Sequence, residues 1–80
     1  MEVKGFTLSI IVANRPGVLL RVVSLFAKRG YNIDNLYVSA MAENNAFSRI
    51  IMTSSGDDAT KVQIGKQLKK LHDIKEVNFI

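Results

Sequence analysis

The 80-residue sequence contains no cysteine and only one histidine. Disulfides, thiolate metal ligands and cysteine nucleophiles are thereby excluded, and His72 alone cannot build a multi-histidine metal site. Long apolar runs are missing as well. The longest, Ile10–Ala13, falls far short of the roughly 20 residues that a membrane span needs. The opening residues, Met1 to Phe6, have no basic region followed by an apolar core, so no signal peptide and a cytoplasmic location are expected.

What is present is ordinary globular composition, 48% apolar and 22% charged, which excludes disorder. A chain of this length forms one small domain and buries only about 60% of its unfolded surface. With no disulfide or metal to staple it, oligomerisation is the remaining common remedy. The net charge of +4 invites a nucleic-acid reading, but the excess is spread along the chain. The densest basic stretch, Lys66-Gln67-Leu68-Lys69-Lys70, has helical spacing and reads as a solvated face.

Phe6, Leu8, Ile10 and Val12 alternate with Thr7, Ser9 and Ile11, which predicts a strand over 4–13. Asn14-Arg15-Pro16-Gly17 breaks that pattern. From Val18 the period becomes helical, with Val18/Leu19, Val22 and Leu25/Phe26 on one side and Gly30 as terminator. A second strand is predicted over 32–41. After turn chemistry at Glu43-Asn44-Asn45, a third follows at 46–54, with Ile50 and Met52 on one face. Asp57 or Asp58 can cap a second helix over 58–72, in which Ile64, Leu68 and Leu71 share a face. Residues 74–80 make a short last strand. The order βαββαβ predicts a ferredoxin-like α+β sandwich: four antiparallel strands in spatial order 4-1-3-2, with both helices on one face.

That order places the 32–41 strand at a sheet edge, yet its sole charge is Asp34 and it has no proline or lysine. Such an edge is an unprotected pairing site, and a homodimer through it is expected. The sheet face away from the helices is expected to carry Ile11, Tyr37, Met41 and Ile51 beside Thr7, Ser9, Arg49 and Thr53. This face is greasier than the free surface of a small monomer, and it is expected to be a second protein contact.

Two segments carry candidate function. Asn14-Arg15-Pro16-Gly17-Val18-Leu19 leads from a strand into a helix start, where backbone N–H groups lack internal partners and favour an anion. The N–H groups of Gly17, Val18 and Leu19 are the candidates, and glycine admits a ligand close to the backbone. A plain capped turn, with Asn14 bonding backbone groups, accounts for the same residues. Asn32, after Gly30-Tyr31, offers both a donor and an acceptor, or serves as turn chemistry.

Asn14-Arg15-Pro16-Gly17-Val18-Leu19, Val22, Leu25-Phe26 and Arg29-Gly30-Tyr31-Asn32-Ile33 together resemble an ACT domain. Among ACT domains the likeness is greatest to those of the small regulatory subunits of acetohydroxyacid (acetolactate) synthases. The run Arg29–Ile33, followed by Ser48-Arg49, narrows it to that group. Phe47–Ile50, Gly56-Asp57, Ile64, Gln67-Leu68, Lys70-Leu71 and Asp73 continue it, so residues 1–80 read as a single ACT domain. Many members carry a second domain beyond it. The resemblance implies a non-catalytic regulatory subunit that binds a branched-chain amino acid, usually valine, between two ACT domains. Feedback control would then act on a large catalytic subunit; thiamine diphosphate, Mg and FAD belong to that partner, and none to this chain. By position, Asn14, Gly17, Val18 and Leu19 would meet the ligand carboxylate. Asn32 of the neighbouring protomer would hold the amino group. Arg15-Pro16 replaces the acidic and small residues of some members.

Other readings share the topology. A generic ACT sensor of another enzyme or regulator differs only in its target. An acylphosphatase-like enzyme would use Arg21 and an asparagine such as Asn44, but the glycine-rich cradle leading to that arginine is missing. An RNA-binding module would stack bases on aromatics of the first and third strands; Phe47 has no such partner on strand one. No nucleic acid and no membrane partner is therefore expected.

Overall fold

The alternation of Phe6, Leu8, Ile10 and Val12 forms strand β1, Lys4–Ala13, with the predicted bounds. The computed structural model describes residues 4–41 and 44–80. Helix α1 spans Val18–Lys28, β2 Asn35–Met41, β3 Asn44–Gly56, α2 Asp58–Lys69 and β4 Ile74–Phe79. The sheet order is β2-β3-β1-β4, with β3 antiparallel to β1 and β2, and β4 antiparallel to β1. The predicted 4-1-3-2 sandwich is therefore the observed fold. The turn at Ala42-Glu43 lies outside the described residues.

Helix ends follow their local chemistry. Gly17 (φ 86°) precedes α1, and Gly30 (φ 72°) follows it. The left-handed Gly30 lets its own N–H reach Ala27 O at 3.2 Å and that of Tyr31 reach Phe26 O at 2.9 Å, closing the last carbonyls in a Schellman arrangement. At α2, Asp57 Oδ1 accepts from the Thr60 N–H at 2.8 Å. That bond favours the ionised form and holds the Asp57 carboxyl below its usual pKa.

Cross-strand rows explain the core. Leu36, Met52, Leu8 and Phe79 stand side by side, as do Val38, Ile50, Ile10 and Val77. Helix residues Val18, Val22, Phe26, Ile64 and Leu68 complete the buried cluster with Leu8, Ile10, Val12, Ile50 and Met52. The cover stops short of the edge strand. In the same two rows Leu36 is 37% exposed and Val38 47%.

The opposite face departs from expectation at one position. Tyr37, Ile51 and Ser9 form one row there, and Ser39, Arg49, Ile11 and Glu76 the next. Tyr37 is 67% exposed, but Ile11 is only 7% exposed, although it was expected to be open. It sits on a central strand between Arg49 and Glu76, whose long side chains can cover it with their stems. The β1–β4 register also shifts beside it, between Ile11 and Val12.

Candidate functional site

Strand β1 delivers the chain to a corner that is tied down on two sides. The Asn14 N–H reaches Ala46 O at 2.8 Å, and Asn14 Nδ2 reaches Asn45 O at 2.8 Å. The Asn14 amide nitrogen thus holds the turn to the start of β3. On the other side, the Ala13 N–H donates to Asp73 O at 2.9 Å. The chain then closes a tight turn, with the Val18 N–H on Arg15 O at 3.3 Å.

Of the three predicted donors, Val18 is therefore partly engaged. Among the described residues, no acceptor reaches the N–H groups of Gly17, Leu19 or Leu20. A Cβ built on Gly17 would meet nothing within 4 Å, so the space over its backbone is open. Beside these donors lies a cavity of about 60 Å³, lined by Val12, Asn14, Val18, Leu19, Val38 and Ile50 among others. Its walls are mainly aliphatic. Ser48, buried within them, entered the sequence reading only through the family resemblance and not as a site residue, because a serine at core parity gives no signal of its own.

Asn32 is elsewhere. It precedes β2, its backbone carbonyl accepts from Ser54 Oγ, and its Nδ2 donates to Asp34 Oδ1. That orientation leaves Asn32 Oδ1 free as an acceptor, with the Asp34 carboxylate alongside. Asp34 was noted as the edge's one charge but not as a site residue. Within one protomer, Gly17 and Asn32 lie beyond opposite ends of α1, whose 11 residues span about 16 Å. The structure groups Asn14, Gly17, Val18 and Leu19, and separates Asn32 from them.

Arg21, weighed only in the acylphosphatase-like reading, and Asp73, named only in the resemblance, meet beside the Asn14–Leu19 corner. Arg21 Nη1 contacts Asp73 Oδ2 at 2.6 Å, and Arg15 Nη2 contacts Asp73 Oδ1 at 3.1 Å. The pairs span more than fifty positions, so no sequence spacing signals them. With Arg21 held by Asp73, the acylphosphatase-like reading loses its arginine. Phe47 lies opposite Ala13 under the Lys75 ammonium, 5.1 Å from its ring centre, and is not part of a stacking platform. His72 is exposed at the α2–β4 corner. Among the described residues, no group of three His, Cys, Asp or Glu could hold a metal, and no helix is long and apolar enough to cross a membrane.

The family model of the AHAS small subunit-like ACT domain matches residues 8–76. The chain belongs to that family. This ACT domain is 47% identical over 73 residues to the acetolactate synthase small subunit of Buchnera aphidicola, covering 91% of the chain and 45% of that protein. It is 45% identical over 74 residues to the one of Mycobacterium bovis, covering 92% and 44%. The crystal structure of the acetolactate synthase small subunit from Thermotoga maritima superimposes with a TM-score of 0.87 at 38% identity, covering 95% of this chain and 47% of that one. The ACT domain of a Chlorobium tepidum GTP pyrophosphokinase, at 12% identity and a TM-score of 0.80, shares the fold alone. The chain spans just under half the length of the small subunits it matches.

Proposed function

We propose that this ACT domain, residues 1–80 acting as one unit, senses a branched-chain amino acid for an acetolactate synthase. In this reading the ligand, with valine first among candidates, sits between two copies of the chain. Its binding tunes a large thiamine-diphosphate-dependent catalytic subunit, while this chain performs no chemistry.

The division of the site between the two ends of β2 carries the reading. The donors of Gly17, Leu19 and Leu20 lie beside the C-terminal end of β2, because β1 and β2 both run antiparallel to β3. Asn32 lies just before its N-terminal end. If two β2 edges pair antiparallel about Val38, Asn32 of the second copy arrives beside the turn of the first. Twofold symmetry then makes two such sites. A carboxylate at the helix start meets N–H donors and the positive end of the helix dipole. The ammonium meets Asn32 Oδ1 and the neighbouring Asp34 carboxylate. The small, mainly aliphatic cavity beside Val18, Leu19 and Val38 suits a short aliphatic side chain.

Pairing also covers what the fold leaves open, since Leu36 and Val38 stand in the core rows without a helix over them. Because both copies contribute, the ligand should strengthen the dimer by linkage. The test is calorimetric titration with the twenty amino acids, alongside sedimentation with and without valine. Valine binding that tightens the dimer supports the reading. A monomer at tens of micromolar that binds no aliphatic amino acid contradicts it.

A further inference from the structure

We infer that Asp73 is a positioning residue for the ligand turn: it holds the Asn14–Leu19 corner in the geometry that a carboxylate needs. The inference rests on the proposed function of that corner.

Asp73 is only 8% exposed, and each of its carboxylate oxygens takes a different arginine. Arg15 comes from the turn itself, and Arg21 from the second turn of α1. Its backbone carbonyl accepts the Ala13 N–H, one residue before the turn. One residue of the α2–β4 corner thus grips the strand end, the turn and the helix start. The charge-assisted hydrogen bond from Arg21 fixes direction as well as distance at one oxygen, the Arg15 ion pair holds the other, and a buried carboxylate does not readily exchange its partners for water.

Arg15 also stands between two spaces. It lines the small cavity beside Val18 and Val38, and a more open cleft of about 270 Å³ with Phe47, His72, Asp73 and Lys75. Asp73 holds its guanidinium at the second. Without that hold, the turn keeps its Asn14 tether to β3 and the Ala13 N–H bond to Asp73 O, but loses the side-chain ties of Arg15 and Arg21 to the α2–β4 corner. A ligand would then have to order the corner as it binds, at a cost in affinity.

Charge and position make opposite predictions for Asp73→Asn. Removing a negative charge near an anion site strengthens carboxylate binding if Coulomb attraction decides. It weakens binding if the clamp decides. The measurement is calorimetric L-valine affinity of the dimeric protein, with thermal denaturation as a control. Asp73→Asn is expected to bind roughly threefold to tenfold more weakly. Should Asp73→Asn fail to fold, Asp73→Glu serves instead: the charge stays, so Coulomb attraction alone predicts unchanged binding, while the longer side chain displaces both oxygens from their arginines, and the same loss is expected. Tighter or unchanged valine binding in a folded variant overturns the inference. If the wild-type protein binds no valine, the proposed function fails, and amide hydrogen exchange decides the positioning role. Selectively faster exchange at the bonded Arg15 and Val18 amides in Asp73→Asn, with Leu8–Val12 unchanged, supports it. Unchanged exchange at Arg15 and Val18 refutes it.

Discussion

Gly65 lies against the ring of Phe79, so close that a Cβ there would stand 3.2 Å from Phe79 Cε2. The ring has little room to retreat. Phe6 meets it edge-on at 5.9 Å between centroids, and Lys61 Nζ lies 5.1 Å from its centre. Among the described residues Gly65 is the only glycine inside a helix, and alanine there would gain about 1 kcal/mol of helix propensity. The close ring offsets that gain. Gly65→Ala is expected to fall within about 1 kcal/mol of wild type, and Gly65→Leu to lose about 1–3 kcal/mol by overpacking. Thermal denaturation reads both, and a Gly65→Leu protein as stable as wild type would show that the ring is not held there.

The second expectation concerns the edge. Val38 is the centre of β2, half-exposed in a row whose central members Ile50 and Ile10 are fully buried. Val38→Lys places a charge where a second copy's strand would pair, and should give monomers by sedimentation. Because the residue is partly exposed in the single chain, circular dichroism should remain that of a folded protein. A Val38→Lys dimer of undiminished affinity would mean that the copies meet elsewhere.

The third concerns the open sheet face, whose contact with the catalytic subunit or a second dimer is a proposal. Ile11 is a poor probe, being nearly buried. Tyr37 and Ile51 are cross-strand neighbours on that face, and Tyr37 is largely solvent-exposed. Tyr37→Ser with Ile51→Ser should leave the dimer intact and abolish the higher assembly. An unchanged assembly removes the reason for proposing the contact.

Much of this was legible in the sequence where one physical signal dominated. The Phe6–Val12 alternation set β1 to the residue, and Asp57 capped α2 because its side chain reaches the Thr60 N–H. Ends without such a signal moved. Strand β2 begins at Asn35, not residue 32, because Asn32 and Asp34 bond each other and the Asp34 N–H turns to Thr53 O. Strand β3 runs longer than 46–54, since a central strand keeps ladder partners on β1 as far as Gly56. Helix α2 stops at Lys69, before Leu71, whose N–H bonds Leu68 O in a tightened last turn. The Asp73 clamp was invisible, because nothing in local spacing reports a contact across fifty residues.

The fourth expectation is at Gly17. Its φ of 86° suits glycine, but a Cβ would meet no atom within 4 Å. Substitution therefore acts through conformation and through the ligand, not through a clash. Gly17→Ala should cost about 1 kcal/mol of stability. Gly17→Asp adds a negative charge beside the proposed carboxylate site and should abolish valine binding in a folded dimer. Retained wild-type affinity in Gly17→Asp, measured by calorimetry, would place the carboxylate away from this helix start.

The shared site is the centre of the account, and mixing two inactive variants tests it most directly. Asn32→Ala removes a hydrogen bond to a charged group, worth about 1.5–3 kcal/mol, or a loss of roughly tenfold to hundredfold in affinity. Gly17→Asp blocks the other half of the site. In a heterodimer of the two, one site is broken twice and the other has both halves intact. Random mixing by unfolding and refolding therefore restores about one site in four if the two sites are related by twofold symmetry. The account predicts that calorimetry of the mixture finds this fraction binding valine with wild-type affinity, although neither variant alone does. A mixture with no recovered high-affinity sites, despite heterodimers present by mass spectrometry, would contradict a site divided between two copies.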